Sequence, residues 1–212
     1  MSYDNAVDIL NELTKPKVAS LLTLMNKEDA NEIKALLHYE EDTAGGIMTT
    51  EYLSLKSTTP VKEALMHVKE QAPNAETIYV IFVINEDDQL VGVLSLRDLI
   101  TAENDSYIED VMSERVISVN VADDQEDVAQ VIRDYDFIAV PVVDYQNHLL
   151  GIITIDDILD VMDEEASEDY SRLAGVSDID STNDSVIKTA MKRLPWLIIL
   201  TFLGMITATI LG

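Results

Sequence analysis

An acidic run at residues 156–169 is the densest group of side chains in this sequence that could do chemistry. Eight of its fourteen positions are Asp or Glu, and none is basic. On a helix, Asp157, Asp160 and Glu164 lie along one side, and like charges at such spacing destabilise a helix by roughly 0.2 to 0.5 kcal/mol per pair. Two interpretations stay open: a solvated acidic face that maintains solubility, or hard oxygen ligands for Mg²⁺ or Ca²⁺.

A second acidic group lies on the preceding predicted helix. Two acidic helices that one small fold brings together repel each other unless cations lie between them. This arrangement favours a cation partner. The members of the group are Asp123, Asp124, Glu126, Asp127, Asp134 and Asp136.

Two strings have the form Gly-x-x-Ser/Thr-x-x-Asp, one ending Ser95-x-x-Asp98 and the other Thr154-x-x-Asp157. A hydroxyl followed three residues later by an acid is a capping arrangement at a helix start, and it needs no ligand. Gly45-Gly46 is a turn, and whether it also offers a carbonyl to a metal stays open.

Catalysis is not supported by this sequence. The histidines His38, His67 and His148 fall on separate predicted elements, and no Gly-rich phosphate loop or zinc-ligand spacing occurs. The chain has no cysteine, which excludes a disulfide, a thiolate metal site and a Cys nucleophile. We therefore predict a protein that is not an enzyme.

The charge of the chain also limits its partners. The 212 residues carry 40 Asp and Glu against 14 Lys and Arg, a formal net charge of −26. Nucleic-acid binding needs clustered Lys and Arg, so this balance argues against a nucleic-acid partner. Apolar residues make up 47% of the sequence, which is enough to form a core.

The positioning elements begin with a helical segment. Residues 4–39 show apolar residues at helical spacing, broken at residues 14–16 and 26–29, with Asn26 as the predicted N-cap of the third helix. Three short helices bury little surface alone, so the segment either packs on the next domain or ends a larger helical array.

From residue 48 the chain repeats itself with a period near 60. Leu90–Ser95 recurs as Leu149–Thr154, and each copy reads as strand, helix, two strands joined by a polar turn, and a closing helix. The turns suit hairpins and lack the ligand spacing of an EF-hand. The predicted strands and helices are Tyr52–Leu55, Val61–Gln71, Ile78–Ile84 and Leu90–Leu94, then Val116–Val119, Glu126–Tyr135, Phe137–Val143 and Leu149–Ile153.

The last stretch, Trp196–Gly212, has 17 residues without a charge and follows Lys188, Lys192 and Arg193. A membrane span needs about 20 apolar residues, with a range of roughly 17 to 25. The start of a transmembrane helix and a buried core helix both fit this length. The positive-inside rule places residues 1–195 in the cytoplasm and the chain at the cell membrane, and the N-terminus lacks the pattern of a signal peptide.

The tandem βαββα unit resembles the CBS domain pair. With a helical segment before it and Pro195-Trp196-Leu197 after it, the chain resembles the cytosolic half of an MgtE-type magnesium channel. It departs from that family in its short helical domain and in the missing later membrane helices. The stretches that carry the resemblance are Glu41–Thr49, Glu76–Tyr79, Leu94–Leu99, Asp134–Phe137 and Asp156–Val161.

The resemblance implies an α+β fold with a tandem CBS pair, a preceding helical segment, a following linker helix and one apolar helix. It also implies a homodimer and, as partner, the missing membrane domain of the same channel. The expected divisions are the end of a helical N-type domain at 1–44, the CBS repeats at 45–105 and 106–165, an acidic segment with the linker helix at 166–195, and the start of a transmembrane helix at 196–212.

In that family the cytosolic domains bind several Mg²⁺ ions at carboxylates that bridge subdomains, so the resemblance implies a Mg²⁺-dependent gate that closes the pore when Mg²⁺ is bound. The matching positions are Asp136, Asp157, Asp160, Glu165, Glu168 and Asp169, then Glu126 with the main-chain carbonyls of Gly46 and Arg133, and Asp4 and Asp8 in the helical segment.

The resemblance also implies a second ligand, since many CBS pairs hold the ribose of an adenosine compound through the Ser/Thr hydroxyl and the Asp of these strings. Here ATP would use Ser95 with Asp98, or Thr154 with Asp157. Arg97 would lie near the phosphates, and Tyr79 or Phe137 against the base. The alternative function is therefore an adenine-nucleotide-sensing CBS module of another membrane protein.

Overall fold

The computed structural model describes residues 3–11 and 13–173, together with five isolated residues of the C-terminal segment. Two compact units, residues 1–159 and 160–212, are described separately. The predicted linker helix and nearly all of residues 196–212 lie outside the described residues. Within the described part, no helix is long and apolar enough to cross a membrane.

The N-terminal segment folds into the three predicted helices, α1 (Tyr3–Asn11), α2 (Lys15–Leu24) and α3 (Lys27–Leu36). Asn26 caps α3 as predicted, because its side-chain oxygen accepts a hydrogen bond from the backbone N–H of Asp29 at 2.9 Å. Helix α2 carries a proline in its first turn, where no hydrogen-bond donor is needed.

The first repeat is entered through a short helix, α4 (Ala44–Ile47), and forms the strands β1 (Ser54–Lys56), β2 (Val80–Ile84) and β3 (Leu90–Ser95). The sheet order is β1-β2-β3, with β1 parallel to β2 and β2 antiparallel to β3. Parallel strands need a crossover, which α5 (Val61–Gln71) supplies. Helix α6 (Leu96–Thr101) follows β3.

The second repeat has the same order of elements and the same sheet topology. This confirms the α+β class and the two βαββα repeats. The first strand of each repeat is shorter than predicted, because only the residues in register with the next strand pair. The elements are α7 (Ile108–Val111), β4 (Val119–Asn120), α8 (Gln125–Tyr135), β5 (Ala139–Val143), β6 (Leu149–Thr154) and α9 (Ile155–Leu173).

Buried apolar residues hold three groups of elements together. One cluster contains Ile33 and Leu36 of the helical segment with Val128 of α8, so the helical segment packs on the second repeat. A second cluster fills the first repeat. The third lies between the sheets, where Phe82 is 1% exposed and packs in one cluster with Ile152. Burial of a large apolar side chain contributes roughly 1.5 to 3 kcal/mol.

The two repeats also exchange backbone hydrogen bonds through their entry segments. Thr49, which precedes the first sheet, bonds reciprocally to Ile152 of β6, N to O at 2.8 and 2.9 Å. Ser113, which precedes the second sheet, bonds reciprocally to Val93 of β3, also at 2.8 and 2.9 Å. Each sheet therefore gains a backbone partner from the other repeat.

These crossings predict different costs for two glycine substitutions. A Cβ on Gly151 would lie 2.8 Å from the carbonyl oxygen of Thr49, which the bond to Ile152 holds in place. A Cβ on Gly92 would meet only the flexible side chain of Met112. Gly151→Ala should lower the free energy of unfolding by about 2 to 3 kcal/mol, and Gly92→Ala by about 1 kcal/mol. Urea denaturation of the two variants measures both costs, and equal costs would contradict this account of the crossing.

Candidate functional site

The first Gly-x-x-Ser-x-x-Asp string ends at an exposed edge of the first sheet. Ser95 ends β3 and caps α6, since its Oγ accepts a hydrogen bond from the backbone N–H of Asp98 at 3.1 Å. The same hydroxyl donates to Asp98 Oδ2 at 2.5 Å. The capping interpretation is therefore confirmed, and the nucleotide-binding role stays a prediction.

Antiparallel pairing brings the predicted nucleotide residues of the first repeat to this edge. Ser95 pairs with Val80 at the start of β2, and the backbone N–H of Leu96 donates to the carbonyl of Tyr79 at 3.2 Å. The side chains of Tyr79, Arg97 and Asp98 are exposed. The edge thus presents an aromatic ring, a cation and a hydroxyl–carboxylate pair to solvent.

The second string has a different charge. Thr154 is 4% exposed, and its Oγ1 lies 2.5 Å from both Asp156 Oδ1 and Asp157 Oδ2. A hydroxyl has one proton, so it donates to only one of the two carboxylates. Two negative charges around one buried hydroxyl fit a cation better than a phosphate.

Phe137 lies at the corresponding edge of the second sheet, two residues before β5. Its half-buried ring stacks on Tyr135, with ring centroids 5.4 Å apart and an interplanar angle of 12°. Stacking of this kind adds about 0.5 to 1.5 kcal/mol beyond area burial. The ring of Phe137 already has an aromatic partner, which distinguishes it from the exposed ring of Tyr79.

Backbone contacts tie α4 to the start of α8, where two metal candidates lie. The backbone N–H of Ala44 donates to the carbonyl of Asp123 at 2.8 Å, and that of Gln125 donates to the carbonyl of Asp42 at 3.1 Å. Gly46 in α4 and Glu126 in the first turn of α8 are therefore on adjoining elements. A carboxylate in a first turn is also favourable for the helix dipole.

The other end of α8 holds Arg133 and Asp136. Asp136 follows the helix in the left-handed conformation, with φ of 53°, and its N–H donates to the carbonyl of Ile132. Arg133 is in the last turn, where carbonyl groups lack partners within the helix. Ten residues at 1.5 Å each separate Glu126 from Asp136 by about 15 Å. The candidates on α8 therefore form two separate groups.

Asp136 occupies a position that costs stability in two ways. A negative charge at a helix C-terminus opposes the helix dipole, an effect of about 0.3 to 1 kcal/mol. The left-handed backbone is also unfavourable for a residue with a Cβ, although Asp and Asn tolerate it better than most. A cation beside this carboxylate and the last-turn carbonyls would relieve the first cost.

The candidates on α9 are distributed along the helix. Asp157 is half-buried and accepts a hydrogen bond from the backbone N–H of Thr154 at 3.2 Å. In the second unit Asp160 is exposed and Glu165 is half-buried. Asp4 and Asp8 belong to α1, and Glu168 and Asp169 to α9, but the side chains of these four residues lie outside the described part of the structure.

The donor chemistry of these residues fits Mg²⁺. The ion prefers carboxylate and carbonyl oxygens, and usually keeps several waters while one or two carboxylates bind it. Among the residues that the structure describes, no three His, Asp or Glu side chains form a group able to hold a metal ion. Binding by isolated or paired carboxylates with water is therefore the mode that fits the described residues.

Local hydrogen bonds account for part of the second acidic group. Asp123 and Asp124 precede α8 instead of lying on it, which corrects the sequence prediction. Asp123 accepts from the backbone N–H of Asn120 at 2.7 Å, and Asp124 caps α8 by accepting from that of Glu126 at 2.9 Å. Their carboxylates stabilise a turn and a helix end.

Sequence reasoning missed two features. The left-handed conformation of Asp136 was not predicted, although a short polar residue after a helical run is the available signal. The pairing of His148 with Asp144 in the second hairpin was also missed. Alignment of the two repeats would have shown that Asp144 and His148 occupy the positions of Asn85 and Gln89.

Two βαββα repeats with mutually paired entry segments define a CBS pair. Residues 44–105 and 108–164 match the CBS domain, and residues 1–42 match the MgtE intracellular N domain. A magnesium transporter MgtE from Enterococcus faecalis is 58% identical over 185 residues, which are 87% of this chain and 41% of that protein. The MgtE of Thermus thermophilus is 41% identical over 215 residues, 99% of this chain and 48% of that protein.

Solved structures show the same likeness. The soluble part of a magnesium transporter is 58% identical, with a TM-score of 0.76 over 78% of this chain and 65% of that one. The cytosolic domain of the Mg²⁺ channel MgtE in complex with ATP is 42% identical, with a TM-score of 0.73 over 76% and 66%. The chain belongs to the MgtE family, and it spans less than half the length of the curated relatives above. This family consists of magnesium transporters, which confirms the prediction that the chain is not an enzyme.

The geometry at Asp136 predicts an unusual mutational response. Asp136→Gly should raise the free energy of unfolding by about 0.5 to 1 kcal/mol without divalent ions, because glycine adopts φ of 53° freely and the opposing charge is removed. Asp136→Ala should lower it by about 1 kcal/mol, since alanine is strained there. Urea denaturation in EDTA distinguishes them, and a destabilised Gly variant would contradict the reading of this position.

Proposed function

We propose that this chain is the Mg²⁺-sensing and gating region of a longer magnesium channel or transporter, and that it closes the pore when Mg²⁺ is bound at its carboxylates. The observation that carries the proposal is Asp136, an acid held where both its charge and its backbone conformation are unfavourable without a cation. The chain's net charge of −26 and its membership of the MgtE family support the same function.

The proposed mechanism is electrostatic. At low Mg²⁺ the carboxylates of the helical segment, the CBS pair and the linker helix repel one another, and the region opens. Bound Mg²⁺ supplies positive charge that offsets this repulsion. Asp136 and Asp157 then contribute closing energy, and the linker helices hold the pore shut. A shift of the gate from 1:99 to 99:1 takes about 5.5 kcal/mol of differential binding, which several hydrated sites together supply.

The proposal includes the assembly and the location. CBS pairs with twofold partners suggest a homodimer, and the partner in the same protein is a membrane domain. We place the protein in the cell membrane, with residues 1–195 in the cytoplasm. These statements rest on the sequence pattern and on the family.

The Mg²⁺ proposal predicts a specific compaction. Millimolar Mg²⁺ should reduce the radius of gyration of the chain and slow proteolysis within residues 41–50, whereas monovalent salt at equal ionic strength should do much less. Small-angle scattering and limited proteolysis measure the two effects. Equal responses to both salts would mean charge screening without sites.

A pair of variants tests the residues. Asp136→Asn with Asp157→Asn should weaken the Mg²⁺ response at least tenfold in midpoint, because asparagine keeps the shape of each side chain and removes its charge. The matched control, Glu70→Gln with Asp105→Asn, removes two charges from exposed residues outside the candidate set and should keep the midpoint. An unchanged midpoint in the first pair would remove Asp136 and Asp157 from the sensor.

A second candidate function is adenine-nucleotide sensing at the edge formed by Tyr79, Ser95, Arg97 and Asp98. Two observations favour it: the hydroxyl–carboxylate pair of Ser95 and Asp98 lies beside an exposed aromatic ring and a cation, and the similar MgtE cytosolic domain was solved with ATP. The first string suits phosphates better than the second, where two carboxylates surround Thr154. ATP would thus be a ligand of the same region that responds to Mg²⁺.

Asp98→Ala should abolish ATP binding and leave the Mg²⁺ compaction intact. The cap of α6 survives this change, because Ser95 accepts from the backbone N–H of residue 98. Calorimetric titration with ATP measures the affinity, and Thr154→Val serves as the control in the second string. Unchanged ATP affinity in the Asp98 variant would contradict the assignment, and loss of both responses would indicate unfolding of the first repeat.

A further inference from the structure

The hairpin turns of the two repeats meet in a contact that we call the hairpin junction, formed by residues 85–90 and 144–149. Gln89 and His148 form an antiparallel bridge between the turns. The junction joins the repeats at a place separate from the entry-segment crossings. Its further hydrogen bonds run from Leu90 N to Asn147 O at 2.9 Å, from Leu149 N to Asp88 O at 3.2 Å, from Gln89 Nε2 to Gln146 O at 2.8 Å and from Asn147 Nδ2 to Leu90 O at 2.7 Å.

The two turns share one backbone design. In the first, Asn85 Oδ1 accepts from the backbone N–H groups two and four residues later, both at 2.9 Å. In the second, Asp144 Oδ1 accepts from the equivalent N–H groups, both at 2.8 Å. The fourth residue of each turn, Asp88 and Asn147, has φ of 60° and 67°. The turns are thus equivalent in conformation.

The chemistry of the equivalent side chains differs. In the first turn Asn85 Nδ2 donates to Gln89 Oε1 at 3.0 Å, a pair of amides that does not titrate. In the second turn His148 Nδ1 lies 2.8 Å from Asp144 Oδ2, a pair that is charged when the imidazole is protonated. The molecule therefore contains a titratable version and a non-titratable version of one contact.

The titratable and charged groups that face His148 come from three elements. Asp144 is in its own turn. Asp88 lies in the facing turn and forms an ion pair with Lys56 of β1, Nζ to Oδ1 at 2.6 Å. Tyr52 precedes β1 and donates its hydroxyl to the carbonyl of Leu149 at 3.3 Å.

These neighbours keep a constant charge near neutral pH. The side-chain hydrogen bond from Lys56 is the main cause that lowers the pKa of Asp88. Burial raises the pKa of Tyr52, so its hydroxyl stays protonated. The hydrogen bond from the His148 side chain lowers the pKa of Asp144, with further lowering by backbone N–H groups. Asp144 therefore stays ionised throughout the range in which histidine side chains titrate, between pH 5 and 8.

We propose that the Asp144–His148 pair makes the hairpin junction a proton-sensitive contact between the two repeats, which tightens as the pH falls from 8 to 6. A neutral imidazole bonds to the carboxylate through one N–H, and the protonated ring keeps that bond and adds a positive charge. The bridge of His148 to Gln89 transmits this gain across the junction. The first turn has no titratable group in the equivalent pair, so the response belongs to the second repeat.

The sign of the pH dependence follows from the two groups. Between pH 8 and 6 the charge-assisted bond adds to the stability of the junction as His148 gains its proton. Asp144 has a lowered pKa, so its contribution is present above its ordinary range and is lost as the pH falls through the lowered value. Junction stability should thus pass through a maximum on the acidic side of neutrality.

Hydrogen exchange of the Leu90 and Leu149 amides, in the full chain with EDTA and corrected for intrinsic pH dependence, tests the proposal. From pH 8 to 6 their protection should rise about two- to fivefold, the range expected for a partly exposed ion pair. The amides of Thr49 and Ile152, which join the repeats elsewhere, serve as the internal reference and should change little. Equal changes at all four amides would overturn the proposal.

Matched variants locate the effect. Asp144→Asn with His148→Gln copies the first turn and should remove the pH response of Leu90 and Leu149, whereas His67→Gln, an exposed histidine on α5, should keep it. Asn85→Asp with Gln89→His copies the second turn into the first and should increase it. A response that persists in the first double variant overturns the proposal.

A titration of the wild-type chain decides the question without any variant. The amide resonances of Leu90 and Leu149 should follow one pH midpoint, and that midpoint should coincide with the one measured on the imidazole ring of His148. Amide midpoints that match another histidine, or amides that do not titrate between pH 6 and 8, would overturn the proposal.

Discussion

The reciprocal contact between the two repeats is the constraint on which the rest of this structure depends. Each entry segment bonds to the sheet of the other repeat, at Thr49 with Ile152 and at Ser113 with Val93. Phe82 fills the space between the sheets in the same cluster as Ile152. Buried polar backbone must be paired and apolar surface must be covered, and each repeat relies on the other for part of both. The positions of the candidate residues follow from this interlocked frame.

Upon that frame the helical segment and α8 arrange negative charge. The helical segment packs on the second repeat, and backbone bonds between residues 42–44 and 123–125 hold α4 against the start of α8. Glu126 is thereby favoured by the helix dipole at one end, while Asp136 is disfavoured by it at the other. A region in which folding enforces an unfavourable charge is suited to respond to a cation, because binding releases energy that folding has withheld.

The repeats keep one backbone and differ in side-chain chemistry. The first carries the neutral Asn85–Gln89 pair and an edge where Arg97 accompanies Ser95. The second carries Asp144 with His148, and two carboxylates around Thr154. One half of the pair is thus better suited to an anionic ligand, and the other to cations and protons. Because the halves share hydrogen bonds and a core, a ligand that changes one half acts on the other.

The sequence by itself determined the elements, because helical spacing, caps and turns depend on residues a few positions apart: Val61–Gln71 was predicted to the residue, and Asn26 caps its helix. The 60-residue repeat and the family stretches indicated the CBS pair. Only the tertiary structure decided the pairing of Thr49 with Ile152, the separation of Glu126 from Asp136 into two groups, and the meeting of the hairpins. These contacts join residues far apart in sequence, whose approach depends on the packing of the whole pair and leaves no local periodicity to read.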